Sequence, residues 1–493
     1  MTLATHYPIL QVVIPLLAAP ACVLLKNPRA CWLLTMLVML VSLGIAGQLV
    51  WQTSESGVIS YAIGGWAAPW GIEYRVDALS SYVLLIITTI GALVLPFAAR
   101  SVADEINIKM QYLFYAAFLL CYTGMLGITI TGDAFNLFVF LEISSLSSYA
   151  LVSLGKDRRA LSAAFQYLIM GTLGATFYLI GIGLLYMMTG TLNMADLAER
   201  LPAVNESRTV LTALAFLTVG ISLKLALFPL HSWLPNAYTY APSAVSALLA
   251  GTATKVAAYV LLRVLFTIFG VDFVLGTMPV AEILIILGMA AILIGSMVAI
   301  FQENLKRLLA YSSIAQIGYI VVGISLGTVT GLTAGLVHLF NHAIIKSALF
   351  MAIGCIIYRL NSVLIGDIAG LGKRMPWTMA AFVAGGVSLI GVPLTAGFIS
   401  KWYLVLAALD KGYWPIVVVV LAGSLMAVVY IWRIVETAYF KPYNGPASIS
   451  EAPLTMLIPT WLLIMVNFYV GIDSSLTAGI ASKAAAQLLG VSP

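Results

Sequence analysis

Seven ionisable side chains stand inside stretches of this 493-residue sequence that are otherwise apolar: Glu142, Lys224, Lys255, His338, His342, Lys346 and Lys401. A lysine or carboxylate at the centre of a lipid-spanning helix costs about 2.5–3.5 kcal/mol on insertion scales, so a chain that keeps several of them uses them. Packing ion pairs are the structural alternative. Glu142 falls about nine residues into its apolar run, roughly 14 Å along a helix and close to mid-bilayer. Ser145 and Tyr149 follow at i+3 and i+7, giving that helix one polar face. A lone buried carboxylate takes up a proton, whereas one beside an ammonium stays charged and responds to its partner. Lys224 is the natural partner, five residues before Pro229 in Gly220-Ile-Ser-Leu-Lys-Leu-Ala-Leu-Phe-Pro-Leu-His-Ser-Trp-Leu-Pro235. Pro229 and Pro235 each remove a backbone donor and free a carbonyl for water or a cation, which a cavity-lining helix tolerates and a lipid-facing one does not. A simple kink is the other reading of the prolines.

Lys255 also lies near midplane, while Arg263, two turns on, reads as a snorkelling residue at the helix end. His338, His342 and Lys346 follow at i, i+4 and i+8 and share one helix face. Two histidines at i, i+4 can bind zinc, but no acid or cysteine on that face completes a site. Packed core histidines remain a reading; a row of His, His and Lys, with histidine changing charge near neutral pH, is what a proton relay requires. Lys401 follows Gly391-Val-Pro393 by eight residues and stands on the far half of a second broken helix. His231, beside the first break, reads as a gate or as an interfacial residue, and Lys156-Asp-Arg-Arg159 as a topology anchor.

The elements that position these residues are set by composition. The chain is 62% apolar and 9% charged, with a mean hydropathy of +1.04, which excludes a water-soluble enzyme and a nucleic-acid binder. The net charge of +5 says little about partners, because basic residues in polytopic proteins gather on one side. Cys22, Cys31, Cys121 and Cys355 are scattered singly, with no metal-ligand spacing and no disulfide framework, and no cofactor motif is present. No basic stretch precedes the first apolar run, so it reads as a retained span.

Runs long enough to cross roughly 30 Å of hydrocarbon predict an all-α polytopic membrane protein. Fourteen spans are expected, near residues 9–25, 31–50, 78–98, 112–131, 133–153, 161–188, 209–229, 242–268, 278–301, 308–327, 330–356, 377–408, 412–436 and 453–472. Alternate loops hold thirteen basic residues against five in the other set, which places both termini outside the cytoplasm and the Gly64–Gly71 stretch in an external extended or hairpin cover. Phe228-Pro229-Leu230 is echoed by Val392-Pro393-Leu394, and Ser144–Gly155 loosely by Ile314–Ser325. Spans four to eight and nine to thirteen then form two five-helix repeats, inverted because five is odd, each with a broken helix. The expected segments are 1–110 with three helices and the external loop, 111–270 and 271–440 for the two repeats, and 441–493 for the final helix and a short tail.

Taken together, Phe140-Leu-Glu142-Ile-Ser-Ser, Gly220-Ile-Ser-Leu-Lys224, Pro229-Leu-His-Ser-Trp-Leu-Pro235, Ala241–Gly251, Lys255 and Leu305-Lys-Arg-Leu-Leu-Ala-Tyr-Ser-Ser-Ile314 resemble the antiporter-like subunits of respiratory complex I and of Mrp-type multisubunit cation/proton antiporters. The resemblance implies a hydrated charged axis through the membrane made by Glu142, Lys224, Lys255, His338, His342 and Lys401, with His231, Lys346, Pro229 and Pro393 as accessory gate or relay positions. A short C-terminal tail, Lys401 in span twelve, and the stretches Gly251–Tyr259 and Glu451–Pro459 look most like the D-type member of the Mrp assembly. That implies a secondary transporter subunit in a bacterial or archaeal cell membrane, without cofactor or metal, moving protons against Na⁺ or a similar monovalent cation among other membrane subunits. A proton-pumping subunit of a complex I-type NADH:quinone oxidoreductase or membrane-bound hydrogenase is the alternative, its redox chemistry then belonging to a partner.

Overall fold

Polar cap residues break the apolar sequence into helices with satisfied ends. Asn27 accepts from the Arg29 and Ala30 amides, Asp77 forms a reciprocal capping box with Ser80, and Asp133, Ser207, Asn304 and Thr328 each accept a backbone N–H at the start of a long helix. In lipid no water satisfies an open helix end, so such caps position the ends of spans. The computed structural model describes residues 3–443 and 449–491.

The helices are α1 (Tyr7–Leu25), α2 (Pro28–Ser56), α3 (Ala78–Glu105), α4 (Gln111–Ile130), α5 (Ala134–Ser153), α6 (Arg159–Thr189), α7 (Met194–Arg200), α8 (Arg208–Leu225) and α9 (Trp233–Tyr240). They continue as α10 (Ser243–Leu262), α11 (Val280–Ile300), α12 (Leu305–Ser325), α13 (Val329–Leu360), α14 (Pro376–Ile390), α15 (Ala396–Asp410), α16 (Trp414–Phe440), α17 (Leu454–Ile472) and α18 (Ser475–Leu489). Thirteen helices among the described residues are long and apolar enough to cross a membrane. The pair α14–α15, two halves of 15 residues each, makes the remaining span. Between α2 and α3 the strands β1 (Ile59–Ala62) and β2 (Glu73–Val76) pair antiparallel, Ile59 opposite Val76, forming the hairpin expected around the Gly64–Gly71 stretch.

The two repeats share one element order: α4, α5, α6, α8–α9, α10, then α11, α12, α13, α14–α15, α16. Each breaks at its fourth span. Helix α8 stops at Leu225 with Ala226 left-handed at φ 58°, and α14 stops at Ile390 with Gly391 at φ 90°. The first break begins earlier than the proline alone suggests: the seventh span ends as helix at Leu225, and Pro229, preceded by a cis peptide bond, lies in the turn between α8 and α9. The tail after the last span is helical too, as α18, which packs against α3 and α13.

Helix α13 is the hub. It packs against α3, α10, α12, α14, α15, α17 and α18, and every residue from Gly331 to Ile356 is buried. Its two histidines and one lysine therefore meet protein, whereas α2, α11 and α16 turn Leu37, Ile286 and Leu425 outward. Helices α6 and α8 cross where Gly174 meets Gly220; a Cβ on Gly220 would stand 2.7 Å from the Gly174 carbonyl oxygen. This small-residue crossing brings the backbones together and sets Lys224, four residues on, beside α5.

Candidate functional site

Glu142 and Lys224 meet where α5 faces the end of α8. Lys224 Nζ lies 3.8 Å from Glu142 Oε1, donates to Ser145 Oγ at 2.7 Å and reaches Tyr149 OH at 3.5 Å. The separation is that of an ion pair without a short hydrogen bond, and the serine is the ammonium's close acceptor. Gly171 on α6 makes room for the Tyr149 hydroxyl. Lys224, Ser144, Ser145, Ser148 and Tyr167 line a cavity of about 50 Å³ that extends to α10 along Ala253, Val256 and Ala257. That is enough for more than one water molecule. Trp233 on α9 reaches back across the first break to donate to the Leu223 carbonyl at 2.9 Å and stacks on Tyr167 at 4.1 Å. His231 stacks on Phe228 at 5.3 Å and meets Tyr311 edge-on at the mouth of the same break, and Pro229 is exposed there.

A second group gathers around α13. Lys255 and Lys346 are wholly buried, and among the described residues neither faces a carboxylate. Lys255 Nζ donates to the Ala250 carbonyl; Lys346 Nζ donates to Ser312 Oγ and to the Leu309 carbonyl at 2.9 Å. His338 and His342 stack with centroids 6.3 Å apart. Lys255, Lys346 and His338 are all within electrostatic reach of His342. His338 Nδ1 lies 2.9 Å from Ser400 Oγ, and Ser400 Oγ donates to the Gly397 carbonyl at 3.2 Å. The ring and the serine hydroxyl thus share a hydrogen bond whose direction follows the histidine tautomer. Among the described residues, His338 Nε2 and both nitrogens of His342 have no protein partner.

The second break holds Lys401. Its Nζ donates to the carbonyls of Leu389 at 3.1 Å and Ile390 at 2.8 Å, to Ser424 Oγ at 2.9 Å, and stands 4.9 Å over the Tyr319 ring. The last carbonyls of α14 lack helical partners, so they carry the negative end of its dipole and suit an ammonium. Pro393 lies within the break, followed by Leu394 at φ 70°.

The sites named from the sequence thus form two groups: Glu142 with Lys224, and Lys255, His338, His342, Lys346 and Lys401 around α13. Lys224 and Lys255 do not touch; the cavity lies between their helices. Two residues differ from expectation. Arg263 does not snorkel: it is buried, pairs with Asp77 at 2.5 Å and bonds Tyr259 OH at 2.9 Å. Burial opposes the charge on Asp77, and the Arg263 guanidinium together with the Ser80 amide outweighs it, holding that carboxyl below the usual aspartate value. Lys306, counted with the basic loops, is buried and donates to the Ala241 carbonyl at 2.8 Å. An inventory of ionisable groups also passes over Ser312 and Ser424, which accept from Lys346 and Lys401, and over Ser400 beside His338. For Ser312 the signal was its place in the polar Tyr311-Ser312-Ser313 stretch, two turns into α12; Ser400 and Ser424 had none.

The model of the "NADH:quinone oxidoreductase/Mrp antiporter, TM" family matches residues 131–427, from the start of α5 into α16. The chain is 43% identical over 457 residues to the N-type subunit of an NADH-quinone oxidoreductase of Desulforudis audaxviator, covering 92% of this chain and 90% of that protein. It is 28% identical to the D-type subunit of the Na⁺/H⁺ antiporter of Bacillus subtilis over 98% and 97% of the two chains. Among solved structures, a chain of the Mrp complex from Dietzia superposes with a TM-score of 0.90 at 27% identity, over 99% of this chain and 98% of that one. A chain of the membrane-bound sulfane sulfur reductase, an archaeal respiratory membrane complex, gives 0.90 at 33% identity over 98% and 97%.

Proposed function

We propose that this chain, which belongs to the NADH:quinone oxidoreductase/Mrp antiporter transmembrane family, is the proton-translocating subunit of a multisubunit monovalent cation/proton antiporter. The observation that carries the reading is the set of buried lysines around α13, Lys255, Lys346 and Lys401, held by carbonyl and hydroxyl oxygens with no carboxylate against them among the described residues. At roughly 10 Å and an effective dielectric of about 20, two unit charges interact by about 1.7 kcal/mol, so a proton on one group opposes a proton on the next. Glu142 and Lys224 begin the axis, Lys255 and the histidines carry it, and Lys401 ends it at the second break. His231, Pro229 and Pro393 serve the breaks, and Lys346 branches toward Ser312.

The assembly faces its basic loops to the cytoplasm of a bacterial or archaeal cell, with both termini outside. Residues 1–110, 111–270, 271–440 and 441–493 are its four segments; residues 1–2 of the first and 444–448 and 492–493 of the last lie outside the described residues. The companion ion is Na⁺ or a similar monovalent cation. In liposomes, the assembled complex should move protons when a Na⁺ gradient is imposed, and the purified single chain should not. Proton movement indifferent to every monovalent cation, or full antiport by the single chain, would refute this reading.

A second reading is favoured by the 43% identity to an N-type oxidoreductase subunit: the same axis pumping protons in a redox-driven complex. Iron co-purifying with the intact complex at a fixed ratio, and proton movement that requires an electron donor, would select it.

A further inference from the structure

The two broken spans are held differently. At the first break the chain closes on itself: Trp233 takes the Leu223 carbonyl, and the Leu227 amide returns to Ser222 at 3.0 Å. At the second, side chains from two other helices enter. Asn341 on α13 donates from Nδ2 to the Ala396 carbonyl at 2.5 Å. Ser388, in the last turn of α14, accepts the Gly397 amide at 3.2 Å and donates to Asn467 Oδ1 on α17 at 2.7 Å. All three side chains are buried, with Asn341 and Ser388 at 0% and Asn467 at 1% exposed.

We propose that Asn467 is a positioning residue for Lys401, acting through Ser388, with Asn341 completing the clamp from the other side. The geometry is direct. Ser388 immediately precedes Leu389 and Ile390, whose carbonyls hold the Lys401 ammonium, and Gly397 lies one turn before Lys401 on α15. A single hydroxyl thus ties the helix that supplies the carbonyls to the helix that supplies the lysine, and Asn467 fixes the orientation of that hydroxyl. The approach is close. A Cβ on Gly397 would run into the Ser388 carbonyl, and one on Gly471, a turn beyond Asn467, into the Leu394 and Thr395 backbone. The orientation of both amides follows from their partners: Asn467 must accept from Ser388 and Asn341 must donate to Ala396, which leaves Asn467 Nδ2 and Asn341 Oδ1 without a protein partner among the described residues. Buried polar groups of this kind take water, so the clamp extends the hydrophilic axis from Lys401 toward α17. It sets where the ammonium sits, and hence how readily a proton leaves at the end of the axis.

This rests on the axis proposed above, and the test separates the two. In everted vesicles carrying the assembled complex, Asn467→Leu and Ser388→Val should each lower cation-dependent proton transport about tenfold, while Ser388→Thr, the same shape as valine with the hydroxyl kept, retains most of it. The double variant Asn467→Leu/Ser388→Val should be no worse than the worse single one, because both break one linkage. A double variant reduced by the product of the single effects, or Ser388→Thr falling as far as Ser388→Val, overturns the clamp in favour of packing. Should Asn467→Leu fail to assemble, the Thr/Val pair decides. Loss of transport in Lys401→Ala with normal transport in Asn467→Leu overturns the clamp alone; normal transport in Lys401→Ala overturns the axis and the clamp with it.

Discussion

Lys224 stands closer to Ser145, at 2.7 Å, than to Glu142, at 3.8 Å. The carboxylate therefore acts on the lysine mainly through space, and its removal leaves the ammonium with hydroxyl acceptors. Glu142→Ala should assemble with a stability loss of about 1 kcal/mol, far below the roughly 3–5 kcal/mol that follows when a buried charge loses its only partner. Transport should nonetheless fall at least tenfold in Glu142→Ala, Glu142→Gln and Lys224→Ala, and partly survive in Glu142→Asp. Proton-gradient dissipation in everted vesicles, with thermal stability measured on the same preparations, checks both halves.

His338 shares a hydrogen bond between Nδ1 and Ser400 Oγ, and its Nε2 has no protein partner among the described residues. Asparagine can keep a hydrogen bond to Ser400 but cannot accept and pass on a proton. His338→Asn should assemble normally and transport at least tenfold less, whereas Ser400→Thr, which retains the acceptor, should transport near the normal rate. Wild-type transport by His338→Asn would make the ring a packing group.

The Asp77–Arg263 pair makes a prediction about stability alone. Arg263→Ala leaves Asp77, at the start of α3, with only its Ser80 cap bonds and should destabilise the protein by about 1–3 kcal/mol, seen as a lower unfolding midpoint in detergent. Because the folded-state carboxyl is held below the ordinary 3.8, its contribution is present above that pH and disappears as pH falls below it. The gap between wild type and variant should accordingly be constant near neutrality and shrink in strong acid.

Sidedness rests on the basic loop residues, twelve against five once the buried Lys306 is set aside. A reporter active only outside the cytoplasm should work when fused at the C-terminus and fail within Lys156–Arg159. The reverse pattern would invert the whole axis.

Charges in apolar runs were readable from the sequence because the bilayer makes them costly: Glu142, Lys224, Lys255, His338, His342, Lys346 and Lys401 stand out without any structure. The paired breaks were also visible, through Pro229 and Pro393 at matching places in the two repeats. What stayed hidden depends on long-range contacts between neutral groups. Ser388 meets Asn467 across 79 residues, and Lys346 meets Ser312 across 34; serine and asparagine are cheap enough in membrane helices that neither draws notice alone. Arg263 misled for a related reason. Its place near a helix end suits a snorkelling side chain, and only folding brings Asp77, 186 residues away, against it. Lys306 likewise reads as a loop cation until the Ala241 carbonyl at the end of α9 is seen to need it.

The most direct test of the account is Lys255→Met. The side chain is wholly buried, lies at the join between the Glu142–Lys224 pair and the α13 cluster, and is replaced at nearly constant volume by an apolar group, so assembly should be unaffected. Cation-induced dissipation of the proton gradient in everted vesicles with the assembled complex should fall to the level of vesicles lacking it. Transport above about half of wild type, with the complex intact, would contradict a proton path through the buried lysines and histidines.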